Sequence, residues 1–377
     1  MKEFINPFLN SNGNMIRSLN EWDDQKECFK DILINELYGT FPKYEGRLRV
    51  IPVAKNVIYD GKAINEIVDL DLFNSSDKIQ TIEITRPNLS GRFPVVVWNR
   101  GTFKGITESC PIEEELVCCE HIVLLKYNRQ QLVADGPQKG ILDEFYPNYT
   151  WGKIAQWAWL SSRVADYLDT TSFSDHGKYI VTGHSRGGKV SLCAGIFDER
   201  FSIVSANGSG CGGAGSFHFR GSRYGLNTGN CETISSIVKS FPYWWSSDFQ
   251  KYADNEEQFS VDSHIMRGLV APRAIITTEG EGDTWSNPFG TLAAWRASQE
   301  IFDFEKCREN NAIHYREGGH AYTDMDWKAL ISYIDFHFFN KEMKDVVYFQ
   351  KEWTRSKDPF DWRNIKLFYS WEAPDSR

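Results

Sequence analysis

A serine, an aspartate and a histidine occur in this chain in the order and settings that acyl-transfer chemistry needs. Ser185 lies within Gly183-His184-Ser185-Arg186-Gly187, directly after the β-branched and aromatic run Tyr179-Ile180-Val181-Thr182. A Gly-x-Ser-x-Gly turn between a strand and a helix lifts the serine hydroxyl above the sheet. Its glycines relieve crowding where the turn meets neighbouring backbone. A hydroxyl is a poor nucleophile, so it needs a base to take its proton and a carboxylate to orient that base. His320 is the expected base: of the eight histidines, it alone follows a glycine pair, Gly318-Gly319, on a loop between the last expected strand and the last expected helix. Asp283 is the expected acid, with Glu279 and Glu281 on the same loop as alternatives. Arg186 would give its backbone N–H to the developing oxyanion, and its guanidinium could add a second donor. Lys189, one helical turn past Ser185, reads either as a solvated lysine or as a contact to a substrate hydroxyl.

These groups need strands and helices to bring them together. Residues 93–98, FPVVVW, form a continuous apolar run of the kind that is buried on both faces of a parallel sheet. It leads into Asn99-Arg100-Gly101-Thr102, where a second oxyanion donor is expected or, equally, a plain structural loop. Further strands are expected near residues 48–57, 81–85, 121–125, 202–205, 274–278 and 312–315. The clearest helix covers residues 151–169, in which Trp157, Leu160, Val164 and Leu168 make one apolar stripe. Others are expected over residues 27–37 and 327–339. Strands alternating with helices predict a three-layer α/β sandwich around a mostly parallel sheet. With Ser185, Asp283 and His320 each shortly after a strand and in that chain order, the expected fold is that of an α/β-hydrolase. No linker stands out, so residues 1–377 read as one domain. Residues 1–80 would be an N-terminal cover with leading strands, and residues 346–377 an aromatic tail packed on the surface. The glycine-rich segment from Asn207 to Ala214 lacks the Lys-Ser/Thr ending of a phosphate-binding loop. It is either a connector or a loop whose backbone approaches a substrate closely.

Composition narrows the partners. A formal net charge of -9 argues against nucleic acid, whose phosphates need a basic field. No stretch is long and apolar enough to span a membrane, and residues 1–14 contain no apolar run of leader-peptide length, so a cytoplasmic location is expected. The eight cysteines, including the pair Cys118-Cys119, show no metal-ligand spacing and read as reduced thiols. No cofactor or metal is expected, since HxH and HExxH patterns are absent. The 13 tryptophans read either as core or as a surface for stacking sugars.

Gly183-His-Ser-Arg-Gly-Gly-Lys189 resembles the signature of the glucuronoyl esterases, carbohydrate esterase family fifteen. The likeness extends through the motifs beginning at Trp151, Asp198, Ser209 and Phe241 to Asp262-x-His264, Ala271-Pro-Arg273, Asp283-x-Trp-x-Asn-Pro288 and Gly319-His320. The resemblance implies a serine esterase that cleaves esters between 4-O-methyl-glucuronic acid and an alcohol, through a Ser-His-Asp triad and an acyl-enzyme. It implies Ser185 as nucleophile, His320 as base and Arg186 as oxyanion arginine. Lys189, Glu232 and Trp285 would contact the uronate ring, with Glu232 matched through Cys231-Glu-Thr-Ile234. Many members of that family carry the catalytic acid just before the Ser-Gly of Ser209-Gly210, where this chain has Gly208; Asp283 must then serve. The expected partner is a small or oligosaccharide uronate ester. The competing expectations are a carbohydrate acetyl esterase or general carboxylesterase on the same fold, and a carbohydrate-binding pseudoenzyme.

Overall fold

The computed structural model describes residues 4–75, 78–103, 106–220, 230–343 and 369–374. Its central sheet contains β1 (Arg49–Ile58), β2 (Ala63–Asp71), β3 (Ile79–Pro87), β4 (Phe93–Arg100) and β5 (Val123–Asn128). It continues with β6 (Ser174–His184), β7 (Phe201–Asn207), β8 (Ala274–Gly280) and β9 (Asn311–Arg316). The spatial order is β1-β2-β3-β5-β4-β6-β7-β8-β9. The first three strands and the β3–β5 pairing are antiparallel, and from β5 to β9 every pairing is parallel. The carboxyl ends of the parallel strands therefore share one edge, and the loops leaving that edge carry Ser185, Asp283 and His320.

The run over residues 93–98 is continuously apolar because both faces of β4 are covered. Val95 and Val97 belong to one core cluster with Trp157, Leu160 and Val164 of helix α2 (Lys153–Leu168). Val96 and Trp98 point the other way, into a second cluster with Trp327, Leu330 and Tyr333 of α5 (Asp324–Phe339). Between these helices in sequence come α3 (Arg186–Phe197), which follows Ser185, and α4 (Pro288–Phe304), which follows the Asp283 loop.

Two elements depart from the sequence-based expectation. Strand β2 was absent from it, and α4 too: this helix is buried on almost every side, so it has no single apolar stripe to betray it. The N-terminal helix, expected over residues 27–37, is α1 (Leu19–Ile32), continued directly by a π-helical turn over Leu33–Tyr38. It starts earlier because Ser18 and Glu21 form a capping box, with the Ser18 N–H given to the Glu21 carboxylate at 3.0 Å. Trp22 of α1 bonds Glu305 through Nε1 at 2.8 Å, fastening the N-terminal cover to the end of α4. Most of the expected aromatic tail lies outside the described residues. Of the described residues at that end, the Tyr369 hydroxyl bonds the Arg296 carbonyl at 3.1 Å and Trp371 Nε1 that of Phe4 at 3.1 Å.

Nine tryptophans are buried, and among the described residues Trp285 is the markedly exposed one, at 44%. Core packing thus accounts for most of them, and among the described residues Trp285 keeps the alternative reading. All eight cysteines are free thiols. Among the described residues no helix is long and apolar enough to cross a membrane.

Candidate active site

Ser185 sits between β6 and α3 with φ 56° and ψ -120°, a conformation that a non-glycine residue adopts only under strain. The turn is tight: a Cβ added at Gly183 would lie 2.5 Å from the Gly187 backbone. The Ser185 N–H donates to the Asn207 carbonyl at 2.9 Å, which ties the turn to the end of β7.

His320 approaches from the loop between β9 and α5. Its Nδ1 lies 2.6 Å from Asp283 Oδ2, and its ring centroid 4.5 Å from that of His184, the residue preceding Ser185. A carboxylate only accepts, so Nδ1 carries the proton and Nε2 is left as the basic nitrogen. Asp283 is almost fully buried. Burial would raise its carboxyl, but hydrogen bonds from His320 and Ser286 outweigh that and hold it below its ordinary value. Glu279, weighed as an alternative acid, is buried against the Thr291 hydroxyl at 3.2 Å. Burial and the Asp283 charge push its carboxyl well above the ordinary range, so it is protonated where Asp283 is charged.

The loops that carry this pair are strapped together. Arg316, at the end of β9, donates to the carbonyls of Glu317, Gly319 and Ala321 at 3.0, 3.2 and 2.5 Å. Its Nε reaches Asp326 of α5 at 2.6 Å. The Gly282 N–H bonds the Gly318 carbonyl at 2.8 Å, joining the loop of the acid to the loop of the base.

Arg186 pairs with Asp135, whose other oxygen accepts from Trp244 Nε1 at 3.0 Å. The guanidinium lies 5.0 Å from the centre of the Trp244 ring. Deeper in, the buried Arg129 donates to the Asn99 carbonyl at 2.6 Å beside Gly187. One amide of the Asn99–Thr102 segment is already committed, Thr102 N–H to Gln130 Oε1 at 2.8 Å, and the Gly101 carbonyl accepts from the Glu108 N–H at 3.2 Å. The buried Arg129 guanidinium lies under the turn beside this segment.

Lys189 is buried and spends its ammonium on the carbonyls of Ser209 and Cys211 and on Glu232 Oε2, at 2.6, 2.7 and 2.7 Å. It is not a solvated lysine. The Glu232 N–H bonds the Trp285 carbonyl at 2.9 Å, so Lys189, Glu232 and Trp285 form one connected wall. The segment from Asn207 to Ala214 runs between this wall and the histidine. Its Gly208 has φ +47°, and a Cβ there would stand 3.4 Å from Asp283 Oδ2 and 3.6 Å from His320 Nδ1.

Sequence reasoning passed over Asp135, Arg129, Ser286 and Arg316. The first two belong to the segment after β5, which carries no motif, and only three-dimensional proximity marks them. Among the described residues no cluster of three or more His, Cys, Asp or Glu side chains could hold a metal ion.

A strained serine turn, an exposed histidine paired with a buried aspartate, and paired cations form the ingredients of a serine esterase. The model for fungal glucuronyl esterases matches residues 73–305. The chain belongs to the glucuronyl esterase family. A carbohydrate esterase from an unidentified prokaryote is 34% identical over 226 residues, covering 56% of this chain and 48% of that protein. A 4-O-methyl-glucuronoyl methylesterase of Phanerochaete carnosa is 23% identical over 353 residues, or 91% of this chain and 82% of its own. The fold matches that of a solved family fifteen glucuronoyl esterase from Caldicellulosiruptor kristjansonii, with TM-score 0.77 at 24% identity over 95% of this chain and 97% of that one.

Proposed function

We propose that this glucuronyl esterase family member hydrolyses esters of glucuronic acid, with or without a 4-O-methyl group, by serine-based acyl transfer. The observation that carries the reading is the His320–Asp283 pair beside the Ser185 turn, with the imidazole held in the tautomer a base requires. In this scheme His320 Nε2 takes the Ser185 proton as Oγ attacks the ester carbonyl. The Arg186 amide and guanidinium stabilise the oxyanion, with Arg129 adding fixed positive charge behind it. His320 then protonates the departing alcohol, and water, activated by the same nitrogen, releases the uronate from Ser185. The Lys189–Glu232 wall would meet the ring hydroxyls, and the exposed face of Trp285 offers a stacking surface for the sugar or for an attached oligosaccharide.

The test is hydrolysis of benzyl glucuronate by the full chain, beside Ser185→Ala and an acetylated xylose control. Uronate ester turnover that Ser185→Ala lowers by on the order of 10⁴ or more is the expected result. Turnover of the acetate alone would move the protein to the deacetylases.

A further inference from the structure

His320 Nδ1 faces two oxygens. Besides Asp283 Oδ2 at 2.6 Å it meets the Ser286 hydroxyl at 3.1 Å. Ser286 Oγ is also 3.0 Å from the Gly208 carbonyl, a group that can only accept. The single hydroxyl proton therefore goes to Gly208, and the oxygen turns a lone pair towards Nδ1. The reverse arrangement, with the hydroxyl donating to Nδ1, would strip that nitrogen of its proton. Nδ1 and the Asp283 carboxylate would then be two acceptors 2.6 Å apart with no proton between them. Ser286 is 1% exposed, so water does not compete for these positions. Its backbone N–H meanwhile bonds Asp283 Oδ1 at 3.3 Å. One residue thus touches the acid through its amide, the base through its hydroxyl oxygen, and the loop after β7 through its hydroxyl proton.

We propose that Ser286 is a positioning residue for His320, supplying a second acceptor to the Nδ1 proton and fixing the rotation of the imidazole so that Nε2 faces Ser185. The inference rests on the reading of Ser185, Asp283 and His320 as a triad. A carboxylate alone constrains one direction of the ring plane. A second oxygen on another side of the same proton, with the His184 ring against the face, removes the remaining swing. The contribution grows during reaction: once His320 has taken the serine proton, Nδ1–H is a charged donor and its bond to the hydroxyl strengthens. Gly208 takes part through its backbone: its carbonyl accepts the Ser286 proton, and its φ of +47° is one that residues with a side chain rarely adopt, although a Cβ there would meet Asp283 and His320 only at ordinary contact distance.

The experiment uses the full chain and benzyl glucuronate, with two readouts. Ser286→Ala is expected to lower kcat about tenfold with KM unchanged, and Ser286→Thr, which keeps the hydroxyl, to restore most of the loss. Independently, the hydrogen-bonded Nδ1–H proton of His320, assigned by its disappearance in His320→Gln, is expected to move in the NMR spectrum of Ser286→Ala and to return in Ser286→Thr. An unchanged kcat, or a loss of activity with the resonance unmoved, overturns the proposal. Should Ser286→Ala fail to fold, Ser286→Cys, with a similarly shaped but poor acceptor, takes its place. If Ser185→Ala retains wild-type turnover, the triad reading falls, and the proton resonance alone decides whether Ser286 holds His320.

Discussion

His320 and Asp283 are held mainly by the backbone of their own loops, whereas Arg186 and Lys189 are held by carboxylates from distant segments. On the acid–base side, Arg316 clasps three carbonyls around His320, and amide–carbonyl bonds join its loop to that of Asp283. On the cationic side, Arg186 meets Asp135 and Lys189 meets Glu232, pairs separated by 51 and 43 residues in the chain. The two arrangements suit different tasks. A base must keep its aim through repeated proton transfers, which favours straps fastened to the loop backbone, whose carbonyl and amide partners do not change as it charges. The cations must stay ionised in a buried setting, which only an opposite charge nearby makes tolerable. Burial and the neighbouring Arg129 do press the Arg186 guanidinium below its ordinary value, and carboxylates such as Glu108 and Glu232 push back.

Breaking the acid–base side should cost activity with little stability. Asp283→Asn keeps the shape of the side chain but can leave His320 in the wrong tautomer, and kcat should fall by about 10³–10⁴. Steady-state kinetics on benzyl glucuronate will show this, and near-normal turnover would shift the role to another carboxylate of the loop.

Breaking the cationic side should cost stability first. Lys189→Met leaves the Glu232 carboxylate buried without its partner, an expected loss of about 3–5 kcal/mol in urea unfolding. Lys189→Met/Glu232→Gln should recover much of that loss, while uronate esters still bind poorly. Equal stability of the single and double variants would mean the pair is not coupled as drawn.

A third effect sharpens the contrast through pH. Burial depresses His184 to about 3 and His264 and His314 to about 4, against an ordinary value of 6.5. Between those values the unfolded chain binds protons that the folded chain refuses, so stability is fully present above pH 6.5 and drains as the pH falls towards 4. Each histidine contributes at most about 1.4 kcal/mol per pH unit inside its window. The Asp283 carboxyl, held below its ordinary 3.8, stays charged throughout that range. Calorimetry should therefore find a melting temperature that declines from pH 6.5 to 4 while the Asp283–His320 contact persists. A flat profile would mean that these histidines are hydrated in solution.

How much of this was legible in the sequence follows from distance along the chain. Ser185 announces itself because its whole turn is local, with strand, glycines and helix contained in about a dozen residues. His320 stood out by its glycine neighbours, and Asp283 by its place after a strand. Ser286 is a serine in a polar loop, and nothing local separates it from any other. Asp135 gains its meaning only when β5 and β6 come together around β4 and set it beside Arg186. The fold followed the same rule: β4 showed as an unbroken apolar run and α2 by its periodic stripe, while α4 hid because burial on almost every side erases periodicity.

Lys189 has one further consequence. All three of its ammonium protons already have acceptors before any sugar arrives, and two of these are carbonyls of a loop packed so closely that a Cβ at Gly210 or Gly212 would collide with Glu232 or Trp245. Such a wall is finished in advance and has little freedom to adapt. A sugar that differs at one ring carbon would then meet fixed polar atoms it cannot satisfy, and no rearrangement would relieve the mismatch. Discrimination between epimers becomes a matter of rigid stereochemical fit, set at folding.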